Sequence, residues 1–144
     1  MFNLKSIAGA FTGSVAKVSG KKDFLEAVCA AAALIAVADG EIEDDEVKAT
    51  TKAIVANKAL AGFDSRTIEA TAQSMFDRAS QGRVGKVGLW KEIDDVSSDA
   101  DMCEAVYVTA LDISESDGEI EPAEKAILDK LAQTLKIDPK KYDV

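Results

Sequence analysis

Asp39, Glu43 and Glu46, in the string "ADGEIEDDE" at residues 38–46, and Asp117, Glu121 and Glu124, in "SDGEIEPAE" at 116–124, hold the chemistry most open to interpretation in this chain. Both sets offer only carboxylate oxygens. Such donors select hard divalent cations, so Ca²⁺ or Mg²⁺ is expected ahead of Zn²⁺. The spacing copies the second half of a calcium-binding EF-hand loop, in which position 5 is often Asp, 6 Gly, 8 apolar and 12 Glu. Asp39, Gly40, Ile42 and Glu46 fall at those places, as do Asp117, Gly118, Ile120 and Glu124. The first half is missing, because Ile35 or Ile113 stands where the first oxygen ligand belongs. An EF-hand is therefore excluded. A carboxylate at one helix end, facing carboxylates on the first turn of the next helix, is what remains.

A plainer reading competes. With Glu43 or Glu121 capping a helix, Glu46 and Glu124 sit three residues on, at the capping-box position. Ile42 and Val47 would form a hydrophobic staple in the first copy, which the second lacks because Lys125 replaces the valine. First-turn carboxylates also gain about 0.3–1 kcal/mol each from the helix dipole. Yet "DGEIEDDE" supplies six acids where capping uses one or two, and Glu is a poor cap beside Asp, Ser or Asn. Packing like charges into one turn is unfavourable, and a cation or a basic partner would offset the repulsion. The two turns, if adjacent, would merge into one acidic patch.

The elements that must position these acids follow from periodicity. Residues 24–46 align with 102–124 at a constant offset of 78 with eleven identities in twenty-three positions, which predicts an internal duplication. Each copy reads as helix, tight turn, helix. The first is Lys21 to Ala38, then Gly40 past the end, then Glu43 to Ala56. The second runs from a cap at Ser98 or Asp99 to about Ser116, stops at Gly118, and resumes with Pro122 in a first turn and an apolar stripe of Ile127, Leu128, Leu131 and Leu135. Between them Asp64 caps a helix whose stripe is Ile68, Ala72, Met75, Phe76 and Ala79. "SQGRVGKVG" reads as a glycine-rich break, with a short helix carrying Leu89, Ile93 and Val96 after it, and Asp138-Pro139 opens a final turn. No period-two alternation exists. The expectation is an all-α single domain of about six or seven helices with pseudo-two-fold duplicated hairpins over residues 21–144, preceded by a mobile basic tail over 1–20.

Composition narrows the function. Of 144 residues, 47 % are hydrophobic and 30 % charged, enough for one well-buried core. Formal net charge is −9. Lys5, Lys17, Lys21 and Lys22 all precede the first acid, Asp23, so the remaining thirteen basic residues face twenty-six acids and the body carries −13. That charge repels phosphate backbones and argues against nucleic acid. With no histidine, no C-x-x-C and two cysteines inside helical patterns, Cys29 and Cys103, little is available for zinc, redox or Ser-His chemistry. "QGRVGKVG" lacks Walker spacing, and nothing supplies a nucleophile or oxyanion hole, so no enzyme is expected. The N-terminus is too polar for a signal sequence and no apolar run reaches about eighteen residues, which predicts a cytoplasmic protein. Phe2, Leu4, Ile7 and Phe11, opposite lysines, leave open an amphipathic membrane-surface segment.

The segments "FLEAVCAAAALIAVADGEIEDDEV" and "MCEAVYVTALDISESDGEIEPAEKAIL" resemble the TerB family of tellurite-resistance proteins, and the likeness runs from about Lys21 to the C-terminus. The resemblance implies an all-helical pseudo-symmetric domain in the bacterial tellurium-resistance and stress-response system. It implies partners of that system, a TerC-type membrane protein and TerD-type calcium-binding proteins, with peripheral inner-membrane association. It also implies a metal-binding acidic surface, carried over to Asp39, Glu46, Asp117 and Glu124. Direct capture of tellurite, an oxyanion, fits poorly with a −13 body. The resulting expectation is an acidic binding module that holds a divalent cation or docks partners. The alternative is a metal-independent adaptor whose acidic face meets a basic partner.

Overall fold

The structure, a computed structural model, describes residues 13–116 and 118–143. Among the described residues there are seven helices and no strand: α1 (13–18), α2 (Lys22–Ala36), α3 (Asp44–Ala56), α4 (Ser65–Ala79), α5 (Gly82–Asp94), α6 (Ala100–Glu115) and α7 (Pro122–Leu135), with short 3₁₀ turns at Lys58–Leu60 and Pro139–Tyr142. The all-α, single-domain expectation holds. No helix among the described residues is long and apolar enough to cross a membrane.

α2 is the axis. Eleven of its fifteen residues are buried, Phe24 and Leu25 at one end and Leu34 and Ile35 at the other. Its central run Ala30–Ala33 joins the highest helix propensity to the smallest side chain, so neighbours approach from all sides. α4, α5 and α6 pack against it most extensively, and α3 and α7 also reach it. On α4 the whole expected stripe turns inward, Ile68, Ala72, Met75, Phe76 and Ala79; on α7 Leu128, Leu131 and Leu135 are buried, while Ile127, the fourth residue of its expected stripe, is only half-buried at the core's edge.

Caps set the register. Asp64 accepts the Thr67 N–H at 2.7 Å, Asp99 that of Met102 at 3.1 Å and Asp138 that of Lys140 at 3.0 Å. Asn57, which ends α3, accepts the Ala59 N–H and donates to Asp112 on α6 at 2.7 Å, tying the first hairpin to the second.

The glycine-rich stretch corrects the sequence reading. Residues 82–88 are not a break but the first half of α5. A side chain at Gly85 would collide with the Arg78 carbonyl oxygen, and a Cβ at Gly88 would lie 2.7 Å from Arg78 Nη2. These glycines let α5 lie against the end of α4, where Arg78 also pairs with Glu92 at 3.1 Å. Close approach, not chain reversal, explains the composition.

Of the segment expected as a tail, residues 1–12, with Phe2, Leu4, Ile7 and Phe11, lie outside the described residues. The part described as α1 packs on the body: Val18 is buried and the Ser14 hydroxyl donates to Glu104 at 2.7 Å.

Candidate functional site

Both acidic strings end a buried helix and start an exposed one. α2 stops after Ala36, and Gly40 at φ +90° turns the chain in a conformation that disfavours any side chain. The Asp39 carboxylate accepts the Glu41 N–H at 3.0 Å and braces that turn. Glu43 precedes α3 in extended backbone, and Asp44, Asp45 and Glu46 fill the first turn. In the second copy α6 ends at Glu115, Gly118 turns at φ +107°, and Glu121 precedes α7 with Pro122 at its first position.

Capping separates the copies. At α7 the Glu121 N–H donates to Glu124 Oε1 at 2.9 Å and a capping box forms, as the spacing predicts. Glu43 makes no side-chain capping bond. The apolar neighbours differ in the same sense: Ile120 packs against the core, whereas Ile42 is 38 % exposed.

The two turns meet. Asp39 and Glu46 from the first and Glu119, Glu121 and Glu124 from the second line one cleft of about 160 Å³, with Ile35, Ala36 and Thr50 also lining it. Glu46 records the proximity: partial desolvation raises its pKa above the ordinary glutamate value, and Asp39, Glu43, Glu124 and Glu121 raise it further. So the expected Asp39, Glu46, Glu121 and Glu124 share one cleft, Glu43 acts on it through its charge, and Asp117 lies outside the described residues. Glu119 was missed, although its repetition as Glu41 and Glu119 in the two strings was a usable signal. Asp44 and Asp45 point to solvent and do not line the cleft.

The donor set is chemically suited to a hard cation, with four or five carboxylates and no nitrogen or sulfur. Among the described residues, however, no three or more His, Cys, Asp or Glu side chains are gathered as a ready coordination shell. Side-chain rotation would have to bring Glu46 and the opposing glutamates together, and at α7 it would compete with the capping box.

The cysteines are placed as expected. Cys29 is buried and its thiol is pushed up to about 12, first by burial and then by Glu26. Burial, then Asp99, also raises Cys103, which donates to the Ser97 carbonyl at 3.4 Å. Neither forms a reactive thiolate near neutral pH.

No curated protein and no solved structure gave a match in the comparisons. The model of the family described as "Tellurite resistance protein TerB" matches residues 25–144, which takes in all but the first three residues of the central helix, both acidic turns and the carboxylate cleft between them. By that match the chain belongs to the TerB family of tellurite resistance proteins.

Proposed function

We propose that the chain is a non-enzymatic binding module of the tellurite-resistance system, whose two acidic turns together hold a divalent cation, Ca²⁺ or Mg²⁺ before Zn²⁺. One observation carries the reading: carboxylates from two separate helical hairpins face a single cleft, and those of both turns raise the proton affinity of Glu46. A cation would relieve that repulsion at neutral pH. Asp39, Glu46, Glu121 and Glu124 would hold it, with Glu43, Glu119 and Asp117 as neighbours able to contribute. Two protonated thiols offer no route to reducing an oxyanion, and an acidic cleft repels one.

A second reading draws on the unassembled donor set and on the engagement of Glu121 and Glu124 in capping. Here the cleft face binds a basic surface on a partner, a TerC-type or TerD-type protein of the same system, without metal. Titrating metal-stripped, isotope-labelled protein with Ca²⁺, Mg²⁺ and Zn²⁺ separates the two. Saturable amide shifts at Gly40 and Gly118, absent in a D39N/E46Q variant, are expected for the cation site. Silence at millimolar metal rejects it. Partner binding that persists in chelator and vanishes at high salt would then favour the adaptor.

A further inference from the structure

The internal repeat supplies its own control. In the second string Ile120 packs against the core, and Pro122 and Ala123 occupy the places of Asp44 and Asp45. The first string departs at all three positions: Ile42 is exposed, and Asp44 and Asp45 face solvent without lining the cleft. The α3 dipole favours the two acids. The exposed isoleucine gains little burial in return, and it stands as an apolar tip flanked by exposed Glu41, Glu43, Asp44 and Asp45.

The complement lies on the outward face of α5. Val84 and Val87, 83 % and 69 % exposed, are with Ile42 the three exposed large hydrophobics among the described residues. Helical spacing puts Arg83 and Lys91, both exposed, on the valines' face, and half-buried Lys86 off it. The first turn of α5 holds no acid and no side-chain cap, so the positive end of the helix adds to Arg83. Val87 also lines a shallow groove of about 400 Å³ with Trp90, Lys91 and Lys130, where an apolar tip can seat. Asp94, the acid lining that groove, is ten residues beyond Val84, about 15 Å along the helix.

We infer that the Ile42 turn of one molecule docks on the Val84 and Val87 face of a second copy of this chain. Each surface has an apolar centre with charged flanks, and the flanks are of opposite sign. Charge complementarity therefore selects this pairing over either surface with itself. Both surfaces are exposed within one molecule, so they do not cover each other there. The contact is heterologous: every molecule offers one surface of each kind, and copies add head to tail rather than closing about a two-fold axis. With three apolar tips at its centre and a net charge of −9 on each copy, the association is weak and needs high concentration. It uses none of the carboxylates that line the cleft, so it stands or falls apart from the cation reading.

Sedimentation velocity of the full chain at rising concentration, with the methyl signals of Ile42, Val84 and Val87 followed in labelled protein, tests this. Reversible growth beyond a dimer is expected, with all three methyl signals moving together. I42D and V84D/V87D should each abolish it, and R83E/K91E should weaken it about ten-fold or more. An equimolar mixture of I42D and V84D/V87D should recover association but stop at a one-to-one pair, because each variant keeps the surface that the other has lost. These side chains are exposed, and circular dichroism checks that every variant keeps its helices. Any of four results would overturn the proposal. They are a chain that stays monomeric to millimolar concentration, variants that associate as the parent does, folded variants that fail to pair when mixed, or a closed dimer in which the valine methyls move and those of Ile42 do not.

Discussion

At the scale of single residues, Glu46 links fold to function. Its pKa is raised by desolvation and by Asp39, Glu43, Glu124 and Glu121, so the folded chain holds this proton more tightly than the unfolded chain does. The sign of the linkage follows. Below the unfolded glutamate value, about 4.3, both states are protonated and the group contributes nothing. As pH rises through the folded value, ionisation in the cleft increasingly opposes folding. Glu46→Gln should therefore raise the urea midpoint at neutral pH, leave it nearly unchanged in acid, and show a smaller gain at high salt. Any cation held in the cleft should be released over the same acid range. Thr109 illustrates the opposite environment: it is fully buried in α6 and its hydroxyl has no hydrogen-bond partner among the described residues. Thr109→Val should be neutral or stabilise by up to about 1 kcal/mol in denaturant unfolding, because the orphan donor is removed with little change of shape. The carboxylates were legible in the sequence because a repeated charged string stands out against helical periodicity. The orphan hydroxyl was not, since satisfaction of Thr109 depends on neighbours that only packing supplies.

Among the elements, helices with an apolar stripe were legible nearly residue by residue, and α4 turns inward the five side chains its spacing predicts. Caps at Asp64 and Asp99 were legible for the same local reason, a side-chain oxygen three residues before the N–H it accepts. α5 was not. Each glycine costs a helix about 1 kcal/mol relative to alanine, so local propensity favoured a loop over residues 82–88. What overrides propensity is the approach of two backbones, a tertiary fact. Gly85→Ala should accordingly destabilise by about 2 kcal/mol despite alanine's better propensity, because backbone at Arg78 must move. Gly88→Ala meets only the far end of the Arg78 side chain, at 2.7 Å from Nη2. Its guanidinium can swing aside, and the propensity gain should leave the net change within about 0.5 kcal/mol. A pair of thermal melts distinguishes the two. Equal losses at both positions would show that α5 is held to α4 by something other than this contact.

In the whole molecule, α2 gathers the outer helices, but the first described helix and the last turn need a separate tether, and Glu104 supplies it. One oxygen accepts the Ser14 hydroxyl of α1 and the other accepts the Tyr142 hydroxyl, both at 2.7 Å. Tyr142 also lies against Tyr107 with ring centroids 5.7 Å apart, and the carboxylate contact helps burial hold its phenol protonated. Hydrogen bonds to an ionised group contribute about 1.5–3 kcal/mol, more than neutral ones. The acidic turns lie beyond the opposite end of α6 from Glu104, which stands near its start. Loosening the tether should thus leave the cleft intact while freeing both terminal segments. Glu104→Ala is expected to cost about 3 kcal/mol, Tyr142→Phe and Ser14→Ala about 1–2 kcal/mol each. The Ser14 and Tyr142 losses should be largely absent in the Glu104→Ala background, a coupling that a double-mutant cycle measures. Amide exchange should accelerate over residues 13–18 and 139–142 well before it does in α2. Uniform acceleration through α2 would instead make Glu104 part of the global core, and full additivity of the substitutions would mean that the two ends are held independently.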